Sequence, residues 1–250
     1  MNLIIAIGNT VAKCVVFDGN DVAEHQLADN RTLDGLVQLA VRTRPQRAIL
    51  SSVVPLTSDM RRRLALLPCP LTELTHATPV PIRNGYRTPQ TLGSDRLAAV
   101  VGAASLKPGK DLLVVDAGTC ITYDLIDATG LYHGGNIAPG LHMRLAAMHH
   151  YTGKLPLVGA EGETPLTGYD TQTAIRSGAL QGIACEVDGY ILRLRQAYPE
   201  LEVLITGGDG PKIAVLSSEA GTGGYDEWLV ARGLNAILNY NEQLQKHEKE

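Results

Sequence analysis

Residues 4–13 read IIAIGNTVAK, and residues 112–122 read LLVVDAGTCIT. In the first stretch, β-branched and apolar residues run into Gly8-Asn9-Thr10, and a second apolar run, CVVF at 14–17, follows Lys13. Short apolar runs either side of a glycine-led polar turn predict two strands of a hairpin. Longer windows sharpen the likeness. LIIAIGNTVAKCVVFDGNDV from Leu3 and LLVVDAGTCITYDLIDATGL from Leu112 each hold an apolar strand, a small residue, glycine, a hydroxyl-bearing turn, a second strand and a polar turn. Such self-similarity predicts an internal duplication, two similar halves that each open with a hairpin.

Glycine lets backbone N–H groups come close to a bound anion, and Asn or Thr side chains add hydrogen bonds, so both turns suit phosphate. Two such turns, one per half, predict a nucleotide cleft between the halves. The copies differ at one place: Asp116 stands in the second where Ala6 stands in the first. An aspartate ending a strand beside a glycine turn can hold a cation or a metal-bound water next to phosphates, whereas alanine only fills space. Tight hairpin turns demand glycine on their own account. Duplication with glycine and threonine both retained is what favours a functional turn. The chain contains no GxxxxGK[ST], GxGxxG or GxSxG, which disfavours a P-loop, a Rossmann phosphate site and an α/β-hydrolase.

Strand-like runs at 2–7, 12–18, 47–54, 112–116, 121–126 and 202–206 alternate with amphipathic helical stretches, the pattern of an α/β protein. A chain of 250 residues can form one large domain or two. The polar segment SLKPGKD at 105–111, with its Pro-Gly pair, comes just before the strongest strand and predicts domains at 1–109 and 110–250. One helix is well marked beyond Asp170: Ile175, Ala179, Ile183, Val187 and Ile191 recur every four residues as an apolar ridge. Gly178 and Gly182 lie one turn apart there, where each costs about 1 kcal/mol against alanine. Close backbone packing, within this chain or against another subunit, would account for them. The terminal KHEKE at 246–250 predicts a solvated, frayed tail.

Composition is that of an ordinary soluble protein, 44% hydrophobic and 19% charged with a net charge of −4. Uninterrupted apolar stretches are strand-sized, so no transmembrane helix is expected. The N-terminus lacks the basic region of a signal peptide, and the cytoplasm is the expected location. The four cysteines form no CxxC pair, which predicts buried, reduced thiols rather than a zinc knuckle or disulfide framework. His149-His150, with His142 nearby, lack zincin spacing. Arg61-Arg62-Arg63 and the Arg42/Arg44 pair fit solvated helix faces better than a nucleic-acid footprint. Neither nucleic acid nor membrane is an expected partner.

The motifs together resemble one family, the type III pantothenate kinases, from the superfamily of actin, sugar kinases and heat-shock chaperones with duplicated ribonuclease-H-like domains. That family opens with DxGNTxxK, and AIGNTVAK (6–13) occupies the place. Its YxxPxxxGxDR is matched at every specified position by YRTPQTLGSDR (86–96). Its DxGT stands as DAGT (116–119), GGxIxPG as GGNIAPG (134–140), and NTxxAxxSG as DTQTAIRSG (170–178). The match spans nearly the whole chain.

The resemblance implies that the chain phosphorylates pantothenate to 4'-phosphopantothenate, the first step of coenzyme A biosynthesis, with ATP and Mg2+. It implies that Ala6, Gly8, Asn9, Thr10 and Lys13 line the ATP phosphates, with Thr119 reaching them from the other domain. Asp95 is then the general base for the pantothenate hydroxyl. Tyr86, Gly93, Ser94, Asp95, Arg96 and Thr171 bind substrate, and Asp116 is the ligand of a monovalent cation, K+ or NH4+. Homodimers with substrate sites near the subunit interface are implied as well. Two departures stand out. The family's first aspartate is Ala6, so metal charge on the β- and γ-phosphates is less well placed and transfer should be slowed. Asp170 replaces an asparagine. Rival readings are a kinase or phosphatase of the same superfamily acting on a sugar, acetate or polyphosphate, and a nucleotide-binding regulatory paralogue without kinase activity. The YxxPxxxGxDR segment favours pantothenate. Retention of Lys13, Asp95, Arg96 and Asp116 speaks against wholesale decay.

Overall fold

Asn2–Ile7 (β1) and Val11–Asp18 (β2) pair antiparallel around the Gly8 turn, and Leu112–Ala117 (β7) and Cys120–Ile126 (β8) do the same around Gly118. Each hairpin opens a different compact unit of this computed structural model, which describes residues 1–220 and 224–247. The first unit comprises Met1–Pro108, Gly130–Tyr132 and the described residues from Trp228 onward. The second comprises Gly109–Thr129 and the described residues of His133–Glu227.

In the first unit, Asp21–Asp29 (β3), Arg47–Ser52 (β4) and Leu71–Glu73 (β5) complete a sheet of order β3-β2-β1-β4-β5. β1 lies in parallel register with β4, Ala6 beside Ser51. The sheet is buried on both faces, which is why β1 is an almost unbroken apolar run. Leu3, Ile5 and Ile7 pack into a cluster with Leu36 and Leu39 of α1 (Leu36–Thr43) and Met60 of α2 (Ser58–Leu64). Ile4, Val15 and Phe17 pack on the other face against Ala98 and Val101 of α3 (Ser94–Leu106) and Leu234 and Ile237 of α7 (Leu229–His247). A two-residue strand, Arg83–Asn84 (β6), pairs in parallel with Leu131–Tyr132.

Helix α7 is the departure from the linear division at 109, which assigns residues 110–250 to the second domain. Close approach of two backbones ties it to the first unit instead. A Cβ at Gly233 would stand 1.7 Å from the Ala98 carbonyl oxygen, and one at Gly102 would stand 2.2 Å from that of Leu229. Paired glycines permit this approach, and their partnership across the length of the chain has no local signature. Of the predicted frayed tail, Lys246 and His247 still belong to α7, and the rest lies outside the described residues.

The second unit repeats the topology. β7 is flanked by β8 on one side and, in parallel, by Glu202–Thr206 (β10) on the other, with Leu131–Pro139 (β9) beyond β8. β1 and β7 even share one burial pattern, in which only Ala6 and Asp116 are half-exposed. Around this sheet lie Leu141–His150 (α4), Thr171–Leu194 (α5) and Gly210–Leu216 (α6). The ridge Ile175, Ala179, Ile183, Val187 and Ile191 is buried in the core as its spacing predicts. Gly178 and Gly182 lie off that ridge, and a Cβ at either would meet nothing within 4 Å among the described residues. Strands β3 and β9 escape sequence inspection. β3 (DVAEHQLAD) is an edge strand whose residues are mostly exposed, so it carries little apolar alternation.

All four cysteines are free thiols. Burial pushes Cys14 up to about 12. Cys69 and Cys120 are half-buried, and Cys185 is exposed, which corrects the expectation of four buried thiols: its helical phase puts it on the solvent side of α5 with Gly178. Arg62 and Arg63 pair with Asp59 at 3.1 and 3.2 Å on α2, and Arg63 also pairs with Asp34. Among the described residues no helix is long and apolar enough to cross a membrane.

Candidate active site

The first glycine turn is closed by its own backbone, Gly8 N–H donating to the Val11 carbonyl at 3.0 Å. It is braced from β3's end by Asn30, whose side-chain amide donates to the carbonyls of Gly8 (2.9 Å) and Asn9 (2.6 Å). With two carbonyls held from behind, Asn9 and Thr10 remain exposed at the tip. Lys13 leaves the turn on β2 directly opposite Ala6. Opposed residues of an antiparallel pair share a face, so this is where a carboxylate at position 6 would stand. Ala6 packs against the α3–α7 side of the sheet and presents only a methyl group there.

The segment 86–96 folds within the same unit. Tyr86 stacks on Tyr132, ring centres 6.1 Å apart and 9° from parallel, and the Arg96 guanidinium carbon lies 5.6 Å from the Tyr86 ring centre. Arg96 is only 5% exposed, an unusual degree of burial for arginine. Asp95 sits in the first turn of α3, where the helix dipole favours a negative charge, and its Oδ1 accepts from the Arg96 N–H at 2.8 Å. Gly93 precedes it without a side-chain cap; a Cβ there would come within 2.6 Å of Asp95 Oδ1. Ser94 shares a hydrogen bond of 2.8 Å with Ser51, the buried β4 residue beside Ala6. The start of α3 is therefore tied to the strand neighbouring position 6. A cavity of about 350 Å3 reaches Gly93 and Ser94 and is bordered also by Ser52, His76, Asn84 and Gln90.

Asp116, Thr119 and Thr171 belong to the second unit. Asp116 is the penultimate residue of β7, opposite Thr122 and beside Thr206 of β10. Its carboxylate is one of the charges, after burial itself and the charges of Glu227 and Asp226, that raise the Tyr225 phenol pKa. The second turn is closed by Gly118 N–H to the Cys120 carbonyl at 2.9 Å, one residue shorter than its counterpart. Two glycines crowd it: a Cβ at Gly140 would lie 2.3 Å from the Gly118 oxygen, and one at Gly207 would lie 2.3 Å from the Ala117 oxygen. Gly140 N–H donates to Thr119 at 3.1 Å, so the final glycine of GGNIAPG supports the DAGT turn. Thr171 is the first residue of α5 and is exposed. Asp170 caps that helix, accepting from the Thr173 N–H at 2.7 Å, and the backbone and hydroxyl bonds of Thr173 hold its carboxyl below the ordinary range. Asp and Asn are near-equal helix caps, so this departure from the family motif keeps the local fold.

Asn30, Ser51 and the cavity residues His76 and Asn84 carry no motif of their own. They become neighbours of the site only through strand order, which no sequence window contains.

The chain is similar to known proteins in sequence and in fold. The sequence profile of type III pantothenate kinase fits residues 2–193. A type III pantothenate kinase of Phocaeicola vulgatus is 51% identical over 244 residues, covering 98% of this chain and 100% of that protein. That of Bacteroides fragilis is 49% identical over 241 residues, covering 96% and 98%. Among solved structures, a Campylobacter jejuni protein assigned to the Baf family of transcriptional activators aligns with a TM-score of 0.62 at 21% identity, over 96% of this chain and 99% of that one. A Listeria monocytogenes protein assigned as an N-acetylmannosamine kinase aligns with a TM-score of 0.56 at 13% identity, again over 96% and 99%. These structural likenesses are of fold alone. From half-identical relatives matched end to end, we conclude that the chain belongs to the type III pantothenate kinase family.

Proposed function

We propose that this chain is a phosphotransferase that moves the γ-phosphoryl group of ATP to the hydroxyl of pantothenate, giving 4'-phosphopantothenate in coenzyme A biosynthesis. The observation that carries this is the intact 86–96 segment, complete at every motif position in a chain half-identical to the kinases of that name. Asp95 accepts the hydroxyl proton as the oxygen attacks phosphorus; the bond from γ-phosphorus to the β-bridging oxygen breaks, and ADP leaves with that electron pair. Phosphoryl transfer asks mainly for positioning and charge stabilisation, so Asp95 needs no unusual pKa. Gly93 leaves the Asp95 carboxylate its room, Ser51 holds Ser94, and Tyr86 and Arg96 form a stacked wall for an oxygen-bearing substrate. The bordering cavity is of small-molecule size.

Gly8, Asn9, Thr10 and Lys13 take the phosphates in the first unit, and Thr119 takes them in the second. Ala6 belongs to the same strand end and adds no ligand. A divalent ion bound with ATP neutralises phosphate charge. Position 6 would offer that ion no carboxylate. A single half-exposed carboxylate at Asp116 suits a monovalent ion such as K+ or NH4+. Gly178 and Gly182 of α5, where an added Cβ would meet nothing within 4 Å among the described residues, support a homodimer, and the cytoplasm, where ATP is available, fits the reaction.

The test is ADP release followed with and without pantothenate, in potassium and again in sodium. Release that requires pantothenate and is faster in potassium is expected. Release indifferent to pantothenate would favour another acceptor.

A further inference from the structure

The Lys13 ammonium lies 5.3 Å from the centre of the Trp228 ring, the one tryptophan of the chain. His25, on β3, packs against the same indole with ring centres 4.7 Å apart at a 48° tilt. A cation at this distance from an aromatic face is attracted by the ring quadrupole, and indole is the strongest of the three rings in this role. The contact matters because of what stands across the strand. Lys13 is opposite Ala6, which itself carries no charge. A lysine stem is flexible and loses rotamer freedom whenever its charge is put to use at one place.

We propose that Trp228, braced by His25, is a positioning residue that presents the Lys13 ammonium to the phosphates of ATP. This role rests on Lys13 being a phosphate ligand, as assigned above. The indole attracts the cation without a formal negative charge, so it does not neutralise the ammonium that incoming phosphate oxygens meet. Part of the ordering is then complete before the nucleotide arrives. Neither Trp228 nor His25 belongs to any of the motifs shared with the kinase family.

The experiment measures MgATP dissociation constants by equilibrium dialysis with labelled nucleotide, which requires no turnover, on the full chain and its Trp228→Leu and Trp228→Phe variants. Loss of a cation–ring contact at a partly exposed site weakens binding about fivefold. Trp228→Leu should show that loss, and Trp228→Phe, which keeps a ring, should recover most of it. As the only indole, Trp228 also reports directly: Lys13→Met should change its emission without nucleotide, and MgATP should shift the emission of the parent but not of Lys13→Met. Equal constants in all three proteins, equal weakening in both Trp228 variants, or emission untouched by Lys13→Met would each overturn the positioning role while leaving nucleotide binding intact. A parent that binds no MgATP in dialysis would overturn the phosphate assignment of Lys13 and this role with it.

Discussion

Ala6 is the residue at which this chain departs from the opening motif of its family. It occupies the half-exposed position that Asp116 holds in the second hairpin, faces Lys13 across one ladder and neighbours Ser51 in the other. A carboxylate there would place negative charge where a metal-bound nucleotide needs an anchor, and a methyl group cannot. Ala6→Asp should therefore raise the rate of pantothenate-dependent ADP release at saturating substrates by about tenfold or more, the scale on which single electrostatic contacts to a transition state act. Equal rates would remove that carboxylate from the mechanism. Gly93 has a different duty. A methyl group at 93 would collide with the Asp95 carboxylate, so Gly93→Ala should lower turnover while leaving thermal unfolding close to that of the parent. The two glycine turns were legible from sequence because a turn is local. Asn30, which holds the first turn from a different strand, was not.

At the scale of elements, α3 and α7 cross with their backbones in close approach at Gly102 and Gly233. The Gly233 and Gly102 approaches leave no space for a methyl group, so Gly233→Ala must push the helices apart and should destabilise that unit by about 1–3 kcal/mol in denaturant unfolding. Gly178→Ala, at an open helix position, should instead be neutral or stabilising in the isolated chain. In the second unit, Asp188 of α5 accepts from the Ser217 hydroxyl and from the hydroxyl and N–H of Ser218, fastening the loop after α6. Burial raises its pKa, but these hydrogen bonds outweigh that and hold the carboxyl below 3.8. A depressed folded-state pKa means the stabilisation is fully present above the unfolded value and is lost as pH falls through the folded one. The stability difference between the parent and Asp188→Asn should accordingly be largest near neutrality and shrink in acid below about pH 4. The α5 ridge was readable from its four-residue spacing, whereas the solvent-side glycines could not be placed on a face by spacing alone.

For the molecule as a whole, the α5 face bearing Gly178, Gly182 and exposed Cys185 should join two copies of the chain. Sedimentation should give a mass near twice the 26.7 kDa of one chain, and Gly182→Trp should halve it. The sequence by itself determined the duplicated α/β plan, both glycine turns and the 86–96 segment, because strands, tight turns and motif residues depend on neighbours a few positions away. Only the tertiary structure decided that α7 returns to the first unit, that Ser51 ties the start of α3 to the strand beside position 6, and that Lys13 rests on Trp228. Those outcomes depend on strand order and on backbone approach between distant segments. Both follow from burying two sheet faces at once, a condition that no single stretch of sequence expresses.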